Sequence, residues 1–366
     1  MPSVRSLALL PLSLLLFTLL SMSCRTGNQS NQNGGGPSPA PSPGGFVLAW
    51  TAPNRDIKTA ESADGLTWLS SNPRGTTTDT SLGPAIAHDG QLAWMLMWND
   101  GTLLRYTVGL GIPTATERIV WSSSIERGPL SNTEGSPALA FGGTRYVAVT
   151  RVSGGRLMVI RSDANSANSW ESSPTPVVLG ATPPAIANGD PALAFGTVGG
   201  LGGVFVLAFQ DSSFNIVTAT SPDGLTWSAP TIILGRASAK DPSLTVGNGI
   251  VFALLAAHAG AGIDNFIFSS VNGVTWTQVN RSQQAPLNRP GPGLAFGVFR
   301  NGTCLMLLIE PVDRPLTVGM SSRVATPAAP CRPANLAFTN PVGIRAVGQT
   351  TDEHSDSRVA ITFGTR

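Results

Sequence analysis

Charge is what this sequence has least of. Asp, Glu, Lys and Arg make up 12% of its 366 residues, about half the share of an ordinary soluble domain. The formal net charge is +2. There is no basic run and no RNA-binding signature, which excludes polyelectrolyte attraction to nucleic acid as the basis of function. The three histidines, His88, His258 and His354, have no metal-ligand spacing, so no metal site is expected. The Gly-rich stretch GTVGGLGG at 196–203 lacks the Lys-Ser/Thr that a phosphate loop needs and reads as a hairpin. No cofactor is expected. No Ser-His-Asp or Cys-His arrangement can be traced, and TDEHSD at 351–356 reads as a solvated loop. Outside residues 7–20 no segment reads as transmembrane, and no other stretch has helical periodicity. An all-β protein is what remains.

The apolar run LALLPLSLLLFTLL at 7–20 follows Arg5 and is short for a bilayer span. Small residues then lead to Cys24. This resembles a bacterial lipoprotein signal, in which the cysteine becomes the acylated first residue. Ser21 stands where that family usually has Leu, with Leu20 one position earlier. The resemblance implies residues 1–23 as a signal peptide, lipidation at Cys24, and a membrane partner reached through the lipid. It implies the outer membrane or cell surface, or else a secreted or periplasmic protein if the cysteine is incidental. Residues 24–45 are Gly/Ser/Asn-rich and then Pro-rich, the composition of a tether. Residues 46–366 are left for the folded domain. After export only Cys304 and Cys331 remain. In an oxidising compartment they are expected to pair, closing a loop of about 28 residues for roughly 3 kcal/mol.

Glycine (41) and proline (29) are abundant, and they fall in register. FVLAWTAPNRDIKTAESADGLTW from Phe46 aligns without a gap to FVLAFQDSSFNIVTATSPDGLTW from Phe205, with 13 of 23 positions identical. Weaker copies run from Tyr146 to Trp170 and from Phe252 to Trp276. A second element, PAIAHDG, PALAFGG, PALAFGT, PSLTVGN and PGLAFGV, begins at Pro84, Pro137, Pro191, Pro242 and Pro292, in steps of 53, 54, 51 and 50 residues. Several short strands per unit of about 50 residues mark a β-propeller. The unit reads as four strands. The Pro-led strand is innermost, because a first residue need not donate to the ladder. SPDGLTW turns the third strand into a fourth that begins at the Trp, whose ring covers the hairpin. The copy at Phe46 lacks an inner strand, and the tail carries an unpaired RVAITFG. Joining the two gives six four-stranded blades closed by N- and C-terminal strands, or seven if the tail forms its own blade.

The stretches SADGLTW, SPDGLTW and SVNGVTW resemble, as short variants, the Asp-box of the sialidase-like, BNR-repeat propellers. The resemblance covers most of residues 46–280. It implies fold strongly and function weakly, since in that family the box lies on outer hairpins away from the substrate. Sialidase chemistry needs an Arg triad, a Tyr–Glu nucleophile pair and an Asp. The only tyrosines, Tyr106 and Tyr146, fall in early strands, and that activity is not expected.

A propeller ligand site is expected at the channel mouth, on the face shared by the fourth-to-first and second-to-third connections. There the candidates are Arg55, Glu126, Arg127, Glu134, Asp190, Lys240, Asp241 and Arg289. Asp190 and Asp241 each directly precede a strand-opening Pro, where other units have Gly83, Ser136 and Gly291, so the fold does not demand a carboxylate there. Arg127, Lys240 and Arg289 could hold the two ionised. The leading reading is a non-catalytic module for a glycan or protein ligand. The alternative is a glycoside hydrolase with two facing carboxylates. No catalytic residue can be named.

Overall fold

The computed structural model of the protein describes residues 44–69, 72–79, 81–91, 93–101, 103–111, 119–180, 184–198, 202–235, 241–259, 262–283, 293–298, 304–314, 317–326, 338, 340, 342–344 and 359–364. Side chains are described except at 127, 129, 254–265, 282–283, 310–314, 317–323 and 342–343. Residues 1–43, which hold the expected signal peptide, Cys24 and all but the last two residues of the expected tether, lie outside these residues, as do Lys240, Arg289, Cys331 and the 351–356 stretch; Gly45 already opens the first strand.

Among the described residues there is no helix, and the strands form six antiparallel sheets. From the inside out, blade 1 is Ala360–Gly364, Gly45–Thr51, Asp56–Ser62 and Asn72–Thr76. Blade 2 is Ala85–His88, Ala93–Asn99 and Leu103–Gly111, with an outer strand in two pieces, Ile119–Trp121 and Glu126–Ser131. Blade 3 is Ala138–Gly142, Arg145–Arg151, Leu157–Arg161 and Thr175–Pro176. Blade 4 is Ala192–Thr197, Gly203–Gln210, Ile216–Ser221 and Thr231–Leu234. Blade 5 is Ser243–Gly247, Ile250–Ala259, Gly262–Ser270 and Thr277–Gln283. Blade 6 is Gly293–Val298, Cys304–Arg314, Thr317–Ala325 and Val342–Gly343. Each inner strand lies against the next in cyclic order. The protein is a six-bladed β-propeller, and residues 360–364 supply the strand that the copy at Phe46 lacks, with Phe46 opposite Phe363 and Ala49 opposite Ala360.

The second strands explain why so few charges suffice. Both faces of each are buried, so they read as near-continuous apolar runs rather than alternating ones. Phe46, Leu48 and Trp50 pack on Leu307 and Ile309 of blade 6. Val47 and Ala49, one pleat over, pack on Trp94, Leu96 and Trp98 of blade 2. The core is therefore a series of layers between blades. Cys304 is buried in the layer between blades 5 and 6 and is disulfide-bonded; its partner lies outside the described residues.

The seven-residue motif seals these layers. Its first part is a self-contained turn. The Ser221 hydroxyl accepts the Gly224 N–H at 2.8 Å, and Asp223 Oδ1 accepts those of Leu225 and Thr226, both at 2.8 Å. Ser62 and Asp64 repeat this pattern, and Asn272 Oδ1 does the same for Val274 and Thr275. Burial raises the Asp223 carboxyl pKa, but the Thr226 and Leu225 amides and the Ser221 and Thr226 hydroxyls outweigh it and bring it down to about 2. Asp64 is lowered against its burial by equivalent donors.

The second part of the motif points at the preceding blade. Gly224 has φ +78°, and a β-carbon there would stand 2.9 Å from Val147 of blade 3. Trp227 lies between blades 3 and 4, among Val147, Val149, Leu179 and Phe205. Trp68 sits likewise against blade 6, Trp276 against blade 4 and Trp170 against blade 2. This corrects the expected role of the Trp. It does not begin the fourth strand, which starts after it at Asn72, Thr231 or Thr277, and its ring meets more than its own blade. It plugs the gap to the neighbouring blade, because that gap is wider at the rim than at the axis and only a large ring fills it.

Candidate functional site

The central channel is narrow. Ile86, Leu139, Leu193, Leu244 and Ile361 line both its upper part, of about 50 Å³, and its lower part, of about 180 Å³. Small-molecule sites run to roughly 300–1,000 Å³, so the channel is a packed axis, not a binding chamber.

Around its mouth the entry loops grip one another. The Ser136 hydroxyl accepts the N–H of Gly83 at 2.8 Å. One repeat pair further round the ring, Asp241 Oδ1 accepts the N–H of Asp190 at 2.7 Å. Each acceptor directly precedes its blade's opening Pro, and each donor does so one blade earlier. The carboxylate at 241 is thus selected by a loop-to-loop latch that the Ser136 hydroxyl supplies elsewhere. Asp190 has a cation beside it, Arg151 Nη2 at 3.9 Å, and Gly135 packs on both side chains.

The expected site residues are therefore only partly gathered. Asp190 and Asp241 meet through a backbone N–H. Glu134 is exposed beside them, its N–H bonded to the Arg151 carbonyl at 2.9 Å. The cation described beside Asp190 is Arg151, at the end of a second strand. Lys240 and Arg289 lie outside the described residues, and the Arg127 side chain is not described. Glu126 and Arg127 are not in an entry loop at all. They open the strand Glu126–Ser131, which pairs with Leu103–Gly111 on the outside of blade 2. Burial raises the pKa of the Tyr106 phenol, and the nearby Glu126 charge adds to this. Arg55 is exposed in the second-to-third turn of blade 1 with φ +71°, and its backbone carbonyl accepts the Thr77 N–H at 2.9 Å. It is not brought to the Asp190 cluster by any described contact.

One residue on this face escaped the sequence reading. Phe214, in the second-to-third turn of blade 4, is 57% exposed and has φ +66°. The left-handed region costs an L-residue roughly 1–2 kcal/mol, and a bulky ring is rare there. The turn enforces it. Asp211 Oδ1 accepts the N–H groups of Ser213 at 2.9 Å and Asn215 at 2.8 Å, and the Asp211 carbonyl accepts that of Phe214 at 3.0 Å. Asn188 Nδ2, two residues before Asp190, donates to the same carbonyl at 2.7 Å. The turn that carries this exposed aromatic residue is thereby tied to Asn188, two residues before Asp190 in the entry loop of the same blade. Its signal was readable, since DSSFN at 211–215 places Phe where a turn usually takes Gly or Asn.

No protein-family model matches the chain, and no curated protein matches it. Solved structures do. AofleA from Arthrobotrys oligospora is 10% identical over 87% of this chain and 86% of its own, with a TM-score of 0.56. The BP39L lectin from Burkholderia pseudomallei is 13% identical over 86% of this chain and 84% of its own, with a TM-score of 0.52. A looser match, with a TM-score of 0.45, is a GH43 β-1,3-galactosidase, 10% identical over 71% of this chain and 94% of its own. At these identities the likeness to AofleA and BP39L is one of fold, and the chain itself is a six-bladed β-propeller.

Proposed function

We propose that the protein is a non-catalytic glycan-binding module carried on the cell envelope by a lipidated Cys24, with its ligand face around Phe214, Asn188, Asp190 and Arg151. The observation that carries the reading is the exposed Phe214, held in a costly backbone conformation by its turn. Strain of this kind persists where the surroundings over-determine it, and it concentrates at ligand contacts. An aromatic face beside hydrogen-bonding side chains suits the mixed apolar and hydroxylated surface of a sugar ring. A fold shared with a lectin is consistent with this. The hydrolase alternative is weakened by what Asp190 and Asp241 already do. One carboxylate latches a loop and the other sits against Arg151, whereas a glycosidase needs a facing pair with one acid kept protonated.

The test is a glycan array with the wild type and Phe214→Asn. Asn tolerates the left-handed region, so the variant should be as stable as the wild type or more so, by up to about 1 kcal/mol, while array signal is lost. Unchanged array binding by this variant would refute the site, and reproducible hydrolysis of a bound glycan would replace the module with an enzyme. Anchoring is tested separately. Cys24→Ala should move the protein out of the membrane fraction, because acyl chains supply the membrane affinity. Absence of acyl labelling on the wild type would refute it.

A further inference from the structure

Two contacts repeat around the ring to close the gaps between blades on the face opposite Phe214. The first is the motif's glycine and tryptophan, described above. The second lies at the end of each inner strand. Gly142, Gly196, Gly247, Gly297 and Gly364 receive Phe195, Val246, Phe296, Phe363 and His88 of the next blade, and a β-carbon at any of these glycines would overlap the incoming group.

Both glycine contacts are missing at one junction, between blades 2 and 3, where Trp170 alone of the motif still sits against blade 2. The sixth residue of the blade 2 inner repeat is Asp89 instead of Gly, so Phe141 has no glycine to enter. It turns edge-on to Tyr146, with ring centroids 4.9 Å apart. In blade 3 the motif has become SDANSANSW, and the turn at Asn165–Ala167 carries no packed glycine. A third departure is Tyr146 itself, the one hydroxyl-bearing residue at its position. The five equivalents opposite the inner strands are Phe46, Trp94, Phe205, Val251 and Met306. All three departures line a single cleft of about 400 Å³. The first two strip a packing contact and the third adds a polar atom, which together make a site and would not arise from one tolerated substitution.

The lining sets the ligand chemistry. Among the described lining residues Asp89 alone carries a formal charge, joined by Gln91, Thr144, Asn165 and Ser166 and by the Phe141 and Tyr146 rings, and His88 Nε2 lies 3.9 Å from its Oδ1. Asp89 Oδ1 is occupied by the N–H groups of Gln91 at 2.8 Å and Ala93 at 3.0 Å, which aim the carboxylate. The Tyr146 hydroxyl donates to the Ala93 carbonyl at 3.3 Å and keeps a lone pair to accept with. Burial raises the Tyr146 pKa, and the Asp89 charge raises it further, so the phenol stays neutral and the carboxylate's field reaches the cleft. A negative group with no Lys or Arg among the described lining residues rejects anions, and aromatic rings beside it favour an ammonium.

We infer that the cleft between blades 2 and 3 binds a small polar ligand of monosaccharide size carrying a protonated amine, with Asp89 as its counter-ion. This site is separate from the Phe214 face and goes beyond the function proposed for it. The probes are glucosamine, glucose and glucuronate, titrated against the full domain by NMR at a pH where the amine is protonated. Glucosamine should shift the amides of Thr144, Asn165 and Ser166 and bind about tenfold tighter than glucose, the scale of one partly solvent-screened ion pair. Glucuronate should not bind. Asp89→Asn keeps the Oδ1 acceptor of the turn and should erase the preference for glucosamine. Thr144→Trp, at an exposed position, should fill the cleft and abolish binding with the melting temperature unchanged. Equal affinity for glucose and glucosamine, or a preference that survives Asp89→Asn, overturns the amine assignment. Glucosamine shifts absent from the three amides overturn the site itself.

Discussion

Trp227→Ala isolates what the repeated motif is worth. The ring is 4% exposed and lies between blades 3 and 4 among Val147, Val149, Leu179 and Phe205. A buried Trp removes about 150–250 Å² from water, which at about 25 cal/mol/Å² is an upper bound near 4–6 kcal/mol. Core Trp→Ala substitutions fall at about 3–5 kcal/mol, and a rigid two-sheet interface gives little room to collapse, so the upper half of that range is expected. The indole N–H has no hydrogen-bond partner in the structure. Its loss therefore adds nothing, and Trp227→Phe should cost under about 1.5 kcal/mol as a shape change alone. The backbone link between Gly180 N–H and the Trp227 carbonyl, 3.1 Å, survives both substitutions. Urea unfolding of the three proteins at equal m-value reads the differences directly. A Trp227→Ala variant within about 1 kcal/mol of wild type, or a Phe variant as damaged as the Ala variant, would refute the plug.

Asp241→Ala leaves the Asp190 N–H without its acceptor and should destabilise by about 1–3 kcal/mol; Asp241→Asn should cost distinctly less, and equal losses in denaturant midpoint would argue against the latch. Acid should expose the motif turns. The folded carboxyls of Asp64 and Asp223 lie below the ordinary value of 3.8, so their stabilisation is complete above that value and is lost as pH falls through it towards about 2. Asp223→Asn, which copies the working Asn272 turn, should keep neutral stability and flatten that part of the acid curve; an unchanged curve counts against the assignment.

The fold was legible because its information is repeated. Five Pro-led strands at near-equal spacing give the blade count, and the copy at Phe46 without an inner strand, set against RVAITFG in the tail, gives the closure. The motif was legible as a turn but not as a plug, because the partner of Trp227 is in another blade and no spacing within one unit encodes it. The same limit hid Arg151, an ordinary strand end until the entry loop of the next blade arrives beside it. Asp241 was visible as an exception to the repeat, but its reason, an N–H one blade away, was not. Asp89 shows the complementary case. PAIAHDG has Asp where PALAFGG has its first glycine, and that difference matters because a side chain of the next blade fills the space beside the glycine in the other units.

The strand Ala360–Gly364 has a consequence for how the protein is made. It pairs with Gly45–Thr51, so Ala49 waits for Ala360 while every other blade can be assembled from neighbouring hairpins. A chain threaded across a membrane from its N-terminus would present the second strand of blade 1, apolar on both faces and lacking its inner neighbour, for the whole interval before residue 360 emerges. Such an edge recruits other strands, and long-range pairing is slow to form. On the export route proposed above, factors that shield an unpaired edge should therefore matter more to this protein than to one closed by local pairing. Cleavage just before residue 360 should release a ring that opens at blade 1 and seeks a strand from another molecule.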